Sequence, residues 1–298
     1  MPALVLLFGS LALGLLVARC GRPPPGLAAS LNWWVINIAL PAMVLDLVPR
    51  IHFEAQFWFL AAANWLVFIG AWLLFATLGK LLGWTRARIG ALTLVGGLGN
   101  TAFMGYPMIE ALRGAPALSL AVIGDQTGCF TALVLGGLAV TVLYAGREPR
   151  LLPMLRQILL FPAFLALLLG ILLGLAGDPF ALLHTVCPRL AATLTPLALF
   201  SVGLQQRLKL PRSDLSALSG ALAWKLFAAP ALCYLLGRVA GVTGLVLVVG
   251  VLQASMAPMI SAAILADQYR LEPALANTVL GSAILISLAT VPWVNSLL

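Results

Sequence analysis

Charge is scarce in this chain. Only 9% of its 298 residues are Asp, Glu, Lys or Arg, against about a quarter in an ordinary soluble domain. A surface cannot face water on all sides with so little charge, which excludes a soluble globular protein. The net charge of +8 does not mark a nucleic-acid partner, because the cations are spread over short loops and form no single basic stripe. Histidine is nearly absent. His52 and His184 are the only two, and both fall in stretches read as outer loops. No His-Glu-x-x-His pattern, no nucleophile with its base and no phosphate-binding Gly-Lys loop is present. The four cysteines, Cys20, Cys129, Cys187 and Cys233, are scattered with no pair at metal spacing, so they read as small apolar residues and no metal site is expected. An intramembrane enzyme would need paired polar catalytic residues at membrane depth, and none is found. No basic residue precedes the first apolar run, Met1 to Ala18, so it reads as a retained helix and not a cleavable signal.

What is abundant is hydrocarbon. The chain is 62% hydrophobic, with a mean hydropathy of +1.08. A spanning helix needs about 20 apolar residues, and ten candidate spans follow. Helix 1 is Ala3–Ala18, helix 2 Leu27–Val48, helix 3 Ala55–Leu82, helix 4 Ala87–Leu112 and helix 5 Ala117–Tyr144. Helix 6 is Leu151–Ala176, helix 7 Leu182–Leu204, helix 8 Ser213–Val239, helix 9 Val242–Ala266 and helix 10 Pro273–Leu297. The expected fold class is an all-α polytopic membrane protein. Trp33, Trp34, Trp58 and Trp293 fall near helix ends and read as interface anchors.

Loop charge sets the orientation. With the N-terminus outside, the inner loops hold twelve cations, among them Arg19, Arg22, Lys80, Arg147, Arg150 and Arg207. The outer loops hold four: Arg50, Arg113, Arg189 and Arg238. The imbalance predicts that both termini face out. Five helices per half must invert the second half relative to the first, and the halves echo each other. Ala39-Leu40-Pro41-Ala42 answers Leu194-Thr195-Pro196-Leu197. Leu78-Gly79-Lys80 answers Leu236-Gly237-Arg238, and Gly105-Tyr106-Pro107-Met108-Ile109 answers Met256-Ala257-Pro258-Met259-Ile260. The domain reading is therefore 1–146 as a first five-helix repeat and 151–298 as its inverted partner.

Helix 4 carries Gly96-Gly97-Leu98-Gly99-Asn100-Thr101-Ala102-Phe103-Met104-Gly105-Tyr106-Pro107. Glycine costs a helix interior about 1 kcal/mol and proline about 3, and proline also clashes one turn back. The segment is predicted to be a broken membrane helix, with Gln253 to Ser261 of helix 9 as its partner. Broken helices near the midplane are the usual substrate sites of secondary transporters. Half-helix N-termini suit a carboxylate, and free carbonyls suit a cation. Asn100 and Thr101 on one side, and Gln253 and Ser255 on the other, add polar side chains; Pro107 and Pro258 stand at matching positions of the two segments. Asn37, one turn before Pro41, either lines the cavity or pairs with a neighbouring helix. Asp125 in Gly124-Asp125-Gln126-Thr127 is an intramembrane acid and a candidate carrier of a coupling H+ or Na+. Lys225, within helix 8, either pairs with an acid, attracts anions or snorkels to the surface. The competing reading is that Pro and Gly only permit close helix packing. Gly97-x-Gly99-x-x-Ala102 mimics part of a dinucleotide fingerprint, but no strand precedes it.

Gly99-Asn100-Thr101-Ala102-Phe103-Met104-Gly105-Tyr106-Pro107 resembles the helix-4 signature of the auxin efflux carrier family, with Ala102 where glycine is usual. Asn37-x-x-Leu40-Pro41-Ala42, Ala254-Ser255-x-Ala257-Pro258 and Thr290-x-Pro292 also resemble that family's patterns. The resemblance spans the whole chain and places it in the wider group that includes the bile-acid sodium symporters. It implies helices 4 and 9 crossing at their prolines, scaffold helices 1, 2, 6 and 7, and a transport domain of helices 3–5 and 8–10. It implies elevator-type alternating access for an organic anion, with Asn100, Pro107 and Pro258 lining the site, and a possible homodimer through the scaffold helices. Plant members carry a second Asn on helix 9 where this chain has Gln253 and Ser255, and a long loop between helices 5 and 6 that is short here. The chain is thus similar to a compact bacterial member in the cytoplasmic (inner) membrane, carrying malate- or malonate-like acids. A sodium-coupled symporter of larger anions, of the bile-acid type, is the alternative within the group. A non-transporting membrane scaffold is the alternative outside it, and would not need matched prolines.

Overall fold

The computed structural model describes residues 2–21, 23–51, 54–146, 156, 159–177, 183–205 and 215–298. Arg22, the connector 147–150, and Arg207, Lys209 and Arg212 lie outside the described residues, as do His52 and the expected start of helix 6 at Leu151.

Among the described residues the chain is helical throughout, with one isolated β-bridge between Gly99 and Pro258. Among the described residues, six helices are long and apolar enough to cross a membrane: Leu27–Arg50, Ala55–Leu82, Ala115–Ala145, His184–Gln205, Leu215–Val239 and Pro273–Leu297. Large aliphatic side chains stand on their outer faces. Leu73 is 65% exposed and Val239 86%. A helix that is apolar on its outside as well as its inside needs lipid around it. The chain is an all-helical, multi-pass integral membrane protein.

The contacts divide the chain into two compact units. Unit 1 comprises Met1–Glu54, Ala102–Val122 and Leu151–Gln206. In it, helix 1 (Pro2–Cys20) and the Leu194–Gln205 part of helix 7 approach backbone to backbone at two glycines. A Cβ added at Gly14 would stand 2.2 Å from the Phe200 carbonyl oxygen, and one at Gly203 would stand 2.4 Å from that of Leu11. This small-residue seam is how membrane helices pack closely without a hydrophobic driving force. Gly14→Leu is expected to destabilise by about 1–3 kcal/mol, the usual cost of overpacking, read as a lower melting temperature in detergent; an unchanged melt would refute the seam. Ser201 Oγ donates to Asn32 Oδ1 at 2.6 Å, and Trp34 Nε1 to Thr193 Oγ1 at 3.0 Å. His184 does not sit in a loop as expected. It lies in the helix Leu183–Ala191, and its Nδ1 stands 3.4 Å from Asp46 Oδ1, which Arg50 also approaches at 3.3 Å.

Unit 2 comprises Ala55–Thr101, Ile123–Arg150 and Arg207–Leu298. Its core follows helix 3, Trp58–Leu82, whose Phe59, Leu60, Phe68 and Phe75 are buried. Trp65 Nε1 donates to Thr131 Oγ1 at 3.1 Å and Trp72 Nε1 to Tyr144 Oη at 3.0 Å, tying helix 3 to helix 5. Near the surface, Arg88 Nε meets Glu272 Oε2 at 2.9 Å, and Thr85 caps the helix starting at Arg86.

Prolines shape the helices in a way the sequence reading did not foresee. Pro41, Pro107 and Pro230 each follow a widened π turn, Val35–Ala39, Thr101–Gly105 and Trp224–Ala228 respectively. The carbonyl four residues before each proline, which its ring would strike, belongs to Asn37, Phe103 or Leu226. Each of these is the central residue of the wide turn. One extra residue in the turn makes room for the ring without ending the helix. Helix 5 carries two further π turns, Asp125–Cys129 and Ala132–Gly136, with no proline behind them.

Candidate functional site at the crossing of helices 4 and 9

The break in helix 4 falls at Leu98–Asn100, between Arg86–Gly97 and the wide turn Thr101–Gly105. The break thus lies within the expected stretch Gly96–Pro107, at its glycines and not at its proline. Pro107 is the second residue of the helix Tyr106–Arg113, a position where its missing N–H is tolerated. The break in helix 9 falls at Met256–Met259, between Gly244–Ser255 and Ile260–Gln268, and does contain Pro258. The two breaks pair as a minimal antiparallel ribbon. Asn100 N donates to the Ala257 carbonyl at 2.7 Å, and Met259 N to that of Leu98 at 2.9 Å. The crossing therefore sets Gly99 against Pro258, not proline against proline.

Two freed carbonyls follow from the breaks, and each finds a donor on helix 8. Asn100 N–H would close the helical bond to Gly96 but turns to Ala257, so the Gly96 carbonyl accepts Trp224 Nε1 at 3.2 Å. Pro258 has no N–H for the Ala254 carbonyl, which accepts Lys225 Nζ at 2.9 Å. Lys225 is 1% exposed; it does not snorkel. The wide turn Trp224–Ala228 lets neighbouring residues reach two different half-helices.

Helix 5 closes the cluster. Its turn Asp125–Cys129 presents Asp125, which accepts from Thr101 Oγ1 and, at 2.8 Å, from Gln126 Nε2. Asp125 and Thr101 are buried. Gln126 is buried too, and its Oε1 has no hydrogen-bond partner among the described residues. Cys129 Sγ donates to the Gly99 carbonyl at 3.1 Å and lies within electrostatic reach of both Asp125 and Lys225.

Gln253 and Ser255 are fully buried. Asn64 Nδ2 donates to Gln253 Oε1 at 3.2 Å and to the Gly124 carbonyl at 3.2 Å, joining helices 3, 5 and 9. A Cβ at Gly124 would stand 2.2 Å from Gln253 Oε1, so any larger residue there must displace the Gln253 amide. Ser255 Oγ donates to the Leu252 carbonyl within its own helix at 2.7 Å. Asn100, Thr101, Asp125, Lys225, Gln253, Ser255 and Pro258 all belong to unit 2. Asn37 and Pro107 belong to unit 1, where Asn37 Nδ2 donates to the Trp33 carbonyl at 2.8 Å and Pro107 is buried. The sequence reading missed Asn64, Gln126 and Cys129. An amide inside an apolar span was the available signal for Asn64.

Crossed broken helices with buried polar groups in a multi-pass membrane protein define a carrier as the class. The chain belongs to the membrane transport protein family, whose profile matches residues 1–294, and this is the auxin efflux carrier family that its motifs resemble. It is similar to a protein of Methanothermobacter thermautotrophicus described as an uncharacterized transporter, with 27% identity over 276 residues, 89% of this chain and 87% of the relative. A second uncharacterized transporter, from Methanocaldococcus jannaschii, is 25% identical over 253 residues, 82% of this chain and 81% of that protein. The chain is thus a membrane transporter and not an enzyme. Both relatives are archaeal, which widens the bacterial setting expected from the sequence.

Proposed function

We propose that this transporter carries a small organic anion, a carboxylate of the malate or malonate class, bound at the crossing of helices 4 and 9. One observation carries the reading: the two breaks meet in a buried ribbon of main-chain bonds, and the Ile260–Gln268 helix opens there with no side-chain cap at Met259. Backbone N–H groups at a helix start suit a carboxylate. In this reading the ten helices form an inverted five-plus-five repeat with both termini outside. The grouping of helix 3 with helices 8 to 10 in unit 2 supports an elevator in which that unit moves. The coupling ion is H+ or Na+, no cofactor takes part, and the cytoplasmic membrane is the setting. The scaffold helices would pair two copies.

The test is a thermal-shift screen of the purified protein with malate, malonate, succinate, indole-3-acetate and taurocholate. A ligand present at about 100 times its Kd adds about 2.7 kcal/mol to the folded state. Malate or malonate is expected to raise the melting temperature by at least about 2 °C. Stabilisation by taurocholate alone would move the protein to the larger-anion alternative, and silence across the panel would sink the organic-anion reading.

A further inference from the structure

We infer that helices 8, 9 and 10 form a phospholipid site: one acyl chain lies in an apolar groove of unit 2, and the phosphate meets Arg238 at its mouth. The inference goes beyond the organic-anion reading and does not rest on it.

The groove begins with a spacing on helix 8. Phe227, Pro230, Ala231 and Tyr234 follow one another at i, i+3, i+4 and i+7, and they line one wall. Two large rings thus stand at the ends of a stretch that holds only proline and alanine. Val251 of helix 9 and Trp293 of helix 10 close the cavity, whose volume is about 410 Å³. That is room enough for a ligand. Val251 is buried, whereas Phe227 and Trp293 are exposed, and their rings meet edge to face with centroids 6.2 Å apart.

The surroundings decide what fills it. Leu235 and Val239 on the same helix are exposed apolar side chains of a membrane protein, so the groove opens into hydrocarbon. A chain seated in a concave wall touches protein on several sides, where one on a flat face touches it on one.

The same face runs on past Tyr234. One further turn brings it to Arg238, in the last turn of the helix Ala229–Val239. Arg238 is exposed, and its guanidinium makes no ion pair among the described residues. A guanidinium at the end of an apolar groove complements a ligand with an anionic head and a hydrocarbon tail, and its planar fork matches a phosphate. The length agrees. Eleven residues separate Phe227 from Arg238, a rise of about 16 Å, close to the hydrocarbon depth of one leaflet, about 15 Å. The ligand is therefore a phospholipid, and not a free fatty chain or a free phosphate. Phe227 also belongs to the wide turn Trp224–Ala228, whose Trp224 holds the Gly96 carbonyl at the crossing. A chain against Phe227 braces that turn from the lipid side.

The experiment is a melting series on the purified, delipidated full chain in detergent, without substrate, titrated with dioleoyl phosphatidylglycerol. Dioleoylglycerol, which has the chains alone, and inorganic phosphate serve as part-ligands. The phospholipid is expected to raise the melting temperature saturably by about 2–4 °C, dioleoylglycerol by less, and phosphate not at all. Arg238→Gln is expected to raise the half-saturating phospholipid concentration about three- to tenfold and to leave the response to dioleoylglycerol as it was. Ala231→Trp, at an exposed position, fills the groove and is expected to remove both responses. Lys80→Gln, which removes an exposed cation at the end of helix 3, is expected to change neither. A rise that never saturates, or one that dioleoylglycerol matches in the wild type, overturns the inference. So does a Lys80→Gln variant that shifts as far as Arg238→Gln. If the tryptophan variant fails to fold, Arg238→Gln decides alone, and an unchanged half-saturation overturns the site. Because no substrate is present, a failed organic-acid screen leaves this result readable by itself.

Discussion

Asn100→Ala is expected to abolish uptake in proteoliposomes while the protein still folds. The separation follows from how the crossing is held. Asn100 contributes its main-chain N–H to Ala257, and Leu98 its carbonyl to Met259. Alanine keeps both bonds. What it loses is a buried side-chain amide, 3% exposed. A hydrogen bond to a charged group is worth about 1.5–3 kcal/mol, so losing one that holds the substrate lowers binding by about 10- to 100-fold. Because Asn100 is buried, the truncation is expected to cost about 1 kcal/mol of stability, the usual size for a point mutant, and the variant still folds. Uptake at the wild-type rate would remove Asn100 from the substrate site. A collapsed melting temperature would make it a structural residue instead.

The second large effect belongs to Asp125. Its carboxylate accepts from Thr101 and from Gln126 Nε2, while Gln126 Oε1 has no partner among the described residues. That spare acceptor allows a second arrangement. If Asp125 takes up a proton, Gln126 can turn its amide and receive the new O–H, so both protonation states are satisfied with only a side-chain rotation. Asp125→Asn copies the protonated arrangement: its oxygen faces Thr101 and its amide faces the turned Gln126. The variant should therefore fold and still bind substrate, yet lose the pH dependence of uptake and any accumulation against a gradient. The measurement is initial uptake between about pH 5 and pH 8, the range in which proton-coupled transport is resolved. A pH profile identical to wild type would exclude Asp125 as the coupling group.

Much of the fold was legible from the length of apolar runs alone. Helix 10 starts and ends where its run does, at Pro273 and Leu297, and helix 3 differs only by a short first turn at Ala55–Phe57. Nothing in those stretches interrupts the ladder, so composition decides. Helix 4 was harder. Its stretch Gly96–Pro107 was read as a break, and the break falls inside it, but at Leu98–Asn100 and not at the proline crossing that the family resemblance implied. Position outweighed propensity: Pro107 opens a helix, whereas Gly99 lies where another backbone must come close. Lys225 and Asp125 stood out as charges inside apolar runs. Their partners did not, because a hydrogen bond between helices far apart in sequence, such as Asn64 to Gln253, leaves no periodic trace.

The wide turns have one more consequence, which concerns insertion and phase. Each holds one residue more than an α-helical turn, and each residue of helix rotates the chain by about 100°. Everything beyond Trp224–Ala228, Cys233 and Gly237 included, therefore faces a direction set by that single extra residue. Deleting one residue within the turn would re-aim the whole C-terminal half of helix 8 while leaving every other side chain of that half unchanged. A lineage that gains or loses one residue beside Pro41, Pro107 or Pro230 can thus swing a polar group into or out of the interior in one step.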